Sequence, residues 1–167
     1  NCMRYHHGMY LKNASLAEDD KAYVVYYADN VAAFSDRREA EAGEGGFDKT
    51  MPLESVFNIL NGNHGQSHYA MQVLNPKNEI NYPTEDEISM DEHFYQSVIQ
   101  NITDNLKGIT LDEEYINSLL AVLEANLTYI PSSTSKKELA DISLYDHMKM
   151  TAAVASCVMQ FLTAKGE

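Results

Sequence analysis

The sequence has no tryptophan, few prolines and only two cysteines, and its basic residues are outnumbered. Cys2 and Cys157 show no framework spacing, which argues against a disulfide scaffold and predicts a reducing, cytoplasmic setting. No apolar run approaches the ~18 residues of a membrane span and no basic-then-apolar leader is present, so no membrane partner is expected. A Gly-rich phosphate loop, a Gly-x-Ser-x-Gly elbow and a CxxC pair are all missing, which removes the commonest signatures of nucleotide, acyl-transfer and dithiol chemistry. The 12 Lys and Arg against 25 Asp and Glu leave a formal charge of −13. A protein that grips nucleic acid with its own surface is usually basic, because phosphate neutralisation supplies most of the affinity. Such a role would here need partner subunits or a local strip, with Arg37, Arg38, Lys136, Lys137 and Lys149 as candidates. The first residue is Asn1 rather than methionine, which predicts a piece of a longer chain.

What is present reads as globular: 44% of the 167 residues are hydrophobic and 22% charged, enough for a single domain over 1–167 with a sizeable core. The stretch 22–34, Ala22 to Phe34, has no proline or glycine. On a helix its apolar side chains cover every side, with Val24, Tyr27, Val31 and Phe34 one way and Val25, Tyr26, Ala32 and Ala33 the other. A helix apolar all round is expected to be buried. Asp29 lies in its middle beside small neighbours. An unpaired buried carboxylate costs several kcal/mol, roughly, so Asp29 should be protonated, hydrogen-bonded, paired with a cation or bound to a metal. The structural alternative is a carboxylate that caps a neighbouring helix or pairs with an arginine.

Met3 to His7 reads as a helix tail stopped by Gly8. Asp19 and Asp20 place negative charge where the central helix begins. Residues 39–48 read as a solvated acidic loop. Residues 50–83 change character: 53–60 is a short apolar stretch without a clear assignment, 68–74 resembles a strand, 75–78 a turn and 79–82 a return strand. This predicts a small β-containing insertion in a mostly α-helical domain. Helices are expected over 86–107, closed by Gly108, and over 112–128, both with core stripes. The last helix is expected from Ser143 to about 164, opened by a capping-box spacing, Ser143-Leu144-Tyr145-Asp146, with aspartate in place of the usual Glu or Gln.

His147, in the first turn of that helix, leads a stripe of Met150, Thr151, Val154, Val158 and Phe161 and is predicted to point inward. A lone inward histidine is more often a hydrogen-bonded core residue than a ligand. The chain thus offers a His6-His7 pair, Asp29 and His147. Imidazole nitrogens with a carboxylate suit a divalent transition metal such as manganese, iron, cobalt, nickel or zinc, able to activate water and polarise a phosphoryl oxygen. His64 and His68 have i, i+4 spacing, but glycines around His64 argue against a helix, and exposed histidines are the preferred reading.

Residues 27–33, Tyr-Ala-Asp-Asn-Val-Ala-Ala, followed by Asp36-Arg37-Arg38-Glu39, with 142–149, Ile-Ser-Leu-Tyr-Asp-His-Met-Lys, and Thr151-Ala152-Ala153, resemble the HD domain of the large polymerase-like subunit of type III-A (Csm) CRISPR effector complexes. Arg4-Tyr5-His6-His7 and Pro131-Ser132-Ser133-Thr134 also fit, so the resemblance spans nearly the whole chain. It implies a circularly permuted HD-type helical domain. His147 would be the first histidine of the superfamily pattern, Asp29 the final aspartate, and His6 or His7 the intermediate histidine. The His-Asp doublet is expected before residue 1, and palm domains after residue 167. The resemblance further implies a metal-dependent nuclease module for single-stranded DNA, incomplete in this chain, using manganese, nickel or cobalt. Asp29 and His147 would be catalytic, with Arg37, Arg38 and Lys149 against phosphate. Implied partners are the other subunits of the complex and its guide RNA. The competing readings are a catalytically idle docking domain of the same complex and an HD-type nucleotide phosphohydrolase.

Overall fold

The computed structural model describes residues 2–37, 45–62, 64–75, 77, 80–88, 90–91, 93–112 and 114–166. Five α-helices and one two-stranded sheet are found among them, so the chain is mostly α with a small β element, as its patterning predicts. The helices are α1 (Gly8–Leu11), α2 (Ala22–Asp36), α3 (Phe94–Leu106), α4 (Tyr115–Leu127) and α5 (Leu144–Lys165). The strands are β1 (Leu53–Glu54) and β2 (His68–Tyr69). The chain gathers into two compact units. One is Asn1–Arg37 with His147–Glu167, the other Arg38–Asp146. The first is discontinuous in sequence because it joins the two ends of the chain, and the division falls inside α5, after Asp146.

In the second unit α3 and α4 pack on each other, and the core is Val98, Leu127, Ile130 and Tyr145, with Phe94, Ile102 and Leu123 against it. Val98, Leu127, Phe94, Ile102 and Leu123 come from the stripes that the helical spacing marks, while Ile130 and Tyr145 lie outside α3 and α4. Gly108, at φ +80°, takes the left-handed conformation that ends α3, where a side chain would be strained. The sheet is antiparallel, pairing Leu53 with Tyr69 and Glu54 with His68. This corrects the expected hairpin: β2 is two residues long and its partner is 53–54, while 80–82 form no strand. An isolated antiparallel bridge also joins His68 to Thr84. Asn58 explains why 53–60 resisted assignment. Its buried side chain donates to the Ser67 carbonyl at 2.8 Å and accepts from the Ser67 amide at 3.0 Å, so a side chain stands in for a strand neighbour. A Cβ on Gly65 would lie 2.9 Å from that Asn58 oxygen.

Two expectations in the first unit are corrected. Gly8 does not stop a helix; it opens α1, against Tyr26, whose Oη would lie 3.1 Å from an added Cβ. And α2 is not buried all round. Its alanines Ala22, Ala28 and Ala32 are buried, while Tyr27, Val31 and Phe34 are exposed, Phe34 at 88%. The alanine side of α2 is therefore the covered one, and the side carrying Tyr27, Val31 and Phe34 is not. Asp20 does sit at the helix start, its Oδ1 accepting from the Ala22 amide at 2.9 Å.

Candidate functional site

Asp29 and Asp36 are seven residues apart on α2. Two turns of an α-helix return to nearly the same side, so both carboxylates stand on one stripe, about 10 Å apart along the axis. An imidazole with a hydrogen bond at each nitrogen spans that gap, and His147 supplies it. Its Nδ1 lies 2.7 Å from Asp36 Oδ2 and its Nε2 lies 3.1 Å from Asp29 Oδ1. The three side chains are partly buried, with exposures of 16% for His147, 24% for Asp29 and 12% for Asp36. His147 is therefore inward, as its stripe predicts, although Met150 and Phe161 of that stripe are exposed.

The start of α5 fixes where His147 falls. Ser143 precedes the helix; its Oγ accepts from the Asp146 amide at 3.0 Å and donates to Asp146 Oδ2 at 2.8 Å. The aspartate is one carbon shorter than the usual partner and takes the serine hydroxyl. His147 follows as the fourth helical residue. One turn further along the same side, Thr151 has a buried Oγ1 with no hydrogen-bond partner among the described residues.

His6 and His7 are not part of this constellation. His6 Nδ1 lies 2.7 Å from the Met3 carbonyl, and its ring rests 3.9 Å from that of His7. Among the described residues no group of three or more His, Cys, Asp or Glu is arranged to hold a metal ion. The reason is geometric. Asp29 and Asp36 lie at opposite nitrogens of one ring, so both cannot join His147 on a single ion. Arg37 and Lys149 are exposed, and Arg38 lies outside the described residues. His64 is exposed, while His68 is held, its Nδ1 3.2 Å from the Gln66 carbonyl and its Nε2 2.9 Å from that of Asp86.

Sequence reasoning missed Asp36 as a member of the site and placed it only in the run Asp36-Arg37-Arg38-Glu39. The i, i+7 spacing from Asp29 is the signal that finds it. As a test of fit to a divalent ion, the pair Asp29 Oδ1 and His147 Nε2 is favourable. Two ligand atoms each about 2.1 Å from one ion and at right angles to each other are about 3.0 Å apart. The donor set is one nitrogen and one oxygen, which suits a transition metal but leaves the set unfilled. The orphaned Thr151 hydroxyl on the same side of α5 agrees with a site that has a further component.

No protein-family model matches the chain. Curated relatives do. A single-strand-specific deoxyribonuclease Cas10/Csm1 of subtype III-A CRISPR systems from Mycobacterium tuberculosis is 34% identical over 100% of this chain and 21% of its own length. Its namesake from Enterococcus italicus is 38% identical over 95% of this chain and 22% of its own length. That from Streptococcus thermophilus is 32% identical over 98% and 22%. The chain thus spans about a fifth of the length of these relatives. Among solved structures, a Csm1–Csm4 cassette in complex with cA4 matches with a TM-score of 0.57 and 32% identity, covering 80% of this chain and 16% of that one. Likeness of this degree in both sequence and fold means that the chain belongs to the Cas10/Csm1 family of subtype III-A CRISPR systems, as one segment of its length.

Proposed function

We propose that this chain is the nuclease module of a type III-A large subunit, a metal-dependent phosphodiesterase of the HD type acting on single-stranded DNA. The observation that carries the reading is the 3.1 Å separation of His147 Nε2 and Asp29 Oδ1, which fits two ligands of one cation. Manganese, nickel or cobalt held there would lower the pKa of a water and offset charge on the phosphate. Asp29 supplies a hard anionic donor and His147 a neutral nitrogen donor. Two donors alone hold such an ion weakly, so the rest of the set comes from outside the described residues. Arg37, directly after Asp36, and Lys149, two residues after His147, are exposed and are the candidates to meet phosphate oxygens. On this reading the protein works in the cytoplasm with the other subunits of a type III-A complex and its guide RNA. No helix of the described residues is long and apolar enough to cross a membrane.

The test uses the full-length subunit with single-stranded DNA and manganese. Asp29→Ala and His147→Ala should each lower cleavage by about 100-fold or more, since loss of mere outer-shell partners already costs 10–100-fold. His64→Ala, at an exposed position, should leave it unchanged. Circular dichroism must show that the variants remain folded. A second reading, a docking module with no catalysis of its own, draws on the exposed Tyr27, Val31 and Phe34 of α2. It becomes the better account if folded Asp29→Ala protein cuts at the normal rate.

A further inference from the structure

His147 has an acceptor at each ring nitrogen, and the two are unequal. Asp36 is the closer, at 2.7 Å against 3.1 Å, and its side chain is the less exposed, at 12% against 24%. A carboxylate only accepts, so the short contact requires a proton on Nδ1. Asp29 also only accepts, so an ion held between Nε2 and Asp29 Oδ1 takes the place of a ring proton there, on the longer and more exposed side of the ring, while Nδ1 keeps its proton toward Asp36.

We infer that Asp36 is a positioning residue: it holds His147 in the Nδ1–H tautomer and aims Nε2 at the ion shared with Asp29. The inference rests on the proposed metal site and adds to it a residue that never touches the ion. Outer partners of this kind fix ring orientation and raise the basicity of the liganding nitrogen. Asp36 is suited to the task by its position. It is the last residue of α2, held in the helix two turns from Asp29, so the distance between the two carboxylates is set by the backbone and not by loop geometry. Lengthening its side chain by one carbon keeps the acceptor within reach of Nδ1, whereas removing the carboxylate takes away the acceptor that holds Nδ1 at 2.7 Å and leaves the ring free to turn.

The experiment uses the full-length subunit with copper(II) as a spectroscopic probe, read by pulsed electron paramagnetic resonance. That method detects the ring nitrogen not bound to the metal, whose quadrupole coupling reports the hydrogen bond it makes. The His147 contribution is the part lost in His147→Ala. In Asp36→Ala and Asp36→Asn this signal should shift, and manganese affinity should fall about 10- to 100-fold. Asp36→Glu should restore both toward the original. Circular dichroism separates these effects from unfolding, and a role confined to stability would move neither the coupling nor its rescue. If Asp36→Ala keeps both the His147 coupling and the affinity, the inference about Asp36 is wrong while the metal site stands. If the wild-type spectrum does not change in His147→Ala, the metal site itself is wrong and Asp36 falls with it.

Discussion

Glu54 on β1 is a carboxyl whose environment works against its charge. Burial raises its pKa above the ordinary 4.5, and nearby Asp141 raises it further, with His68 across the strand pair acting in opposition. A group protonated more readily when folded contributes most below the unfolded pKa. Its contribution is lost as pH rises from about 4.5 through the raised folded value, because there the native state binds the extra proton. Glu54→Gln should therefore raise the melting temperature at pH 7, and the gain should vanish near the pKa of a free glutamate. Melting curves across that range decide it, and a gain independent of pH would mean that packing is responsible. The residue scale is also where the sequence was least legible. His147 and Asp29 could be singled out as an inward histidine and a carboxylate among apolar neighbours, but Asp36 could not be weighed. Its importance lies in which nitrogen of His147 it meets, a fact of three dimensions.

At the level of elements, legibility followed the strength of the local signal. The periodic stripes of α3 and α4 gave both helices, although α3 begins at Phe94 and not near residue 86, since the residues before it are held by turns such as the Asp91 carboxylate accepting from the His93 amide. The serine before α5 was readable because a cap is a contact between neighbours in sequence. β1 was not, and of the strand expected over 68–74 only His68–Tyr69 forms, because two-residue strands have no alternation to detect and depend on Asn58 and the Thr84 bridge. The exposed side of α2 was misread for a different reason: periodicity tells which residues share a face but not which face its neighbours cover. The cap invites a direct test. Ser143→Ala removes the acceptor of the Asp146 amide and the partner of its carboxylate, and should cost about 1 kcal/mol of stability. Chemical denaturation measures this, with Ser143→Thr expected to retain most of it. A loss near zero would mean that the bond from the Leu144 amide to the Ile130 carbonyl, 2.7 Å long, holds the helix start by itself.

On the scale of the whole molecule, charge sets the terms on which this chain would meet any nucleic acid. Its 25 acidic residues against 12 basic ones give −13, and like charges repel a polyanion at every approach within a Debye length, about 10 Å at 0.1 M salt. Single-strand binders usually combine a basic groove with stacking aromatics, and each phosphate neutralised steepens the salt dependence by about 0.7 in log–log slope. The 167-residue chain alone should therefore show weak binding to a single-stranded oligonucleotide even at low salt, while the full-length subunit should bind it. Fluorescence anisotropy over a salt series separates the possibilities. Tight binding by the short chain with a steep slope would overturn the expectation and point to a basic strip around Arg37 and Lys149. Tight binding with a shallow slope would overturn it differently, through stacking on exposed rings such as Tyr27 and Phe34. Weak binding by both chains would mean that, on the proposed nuclease reading, the strand must be held by partner subunits.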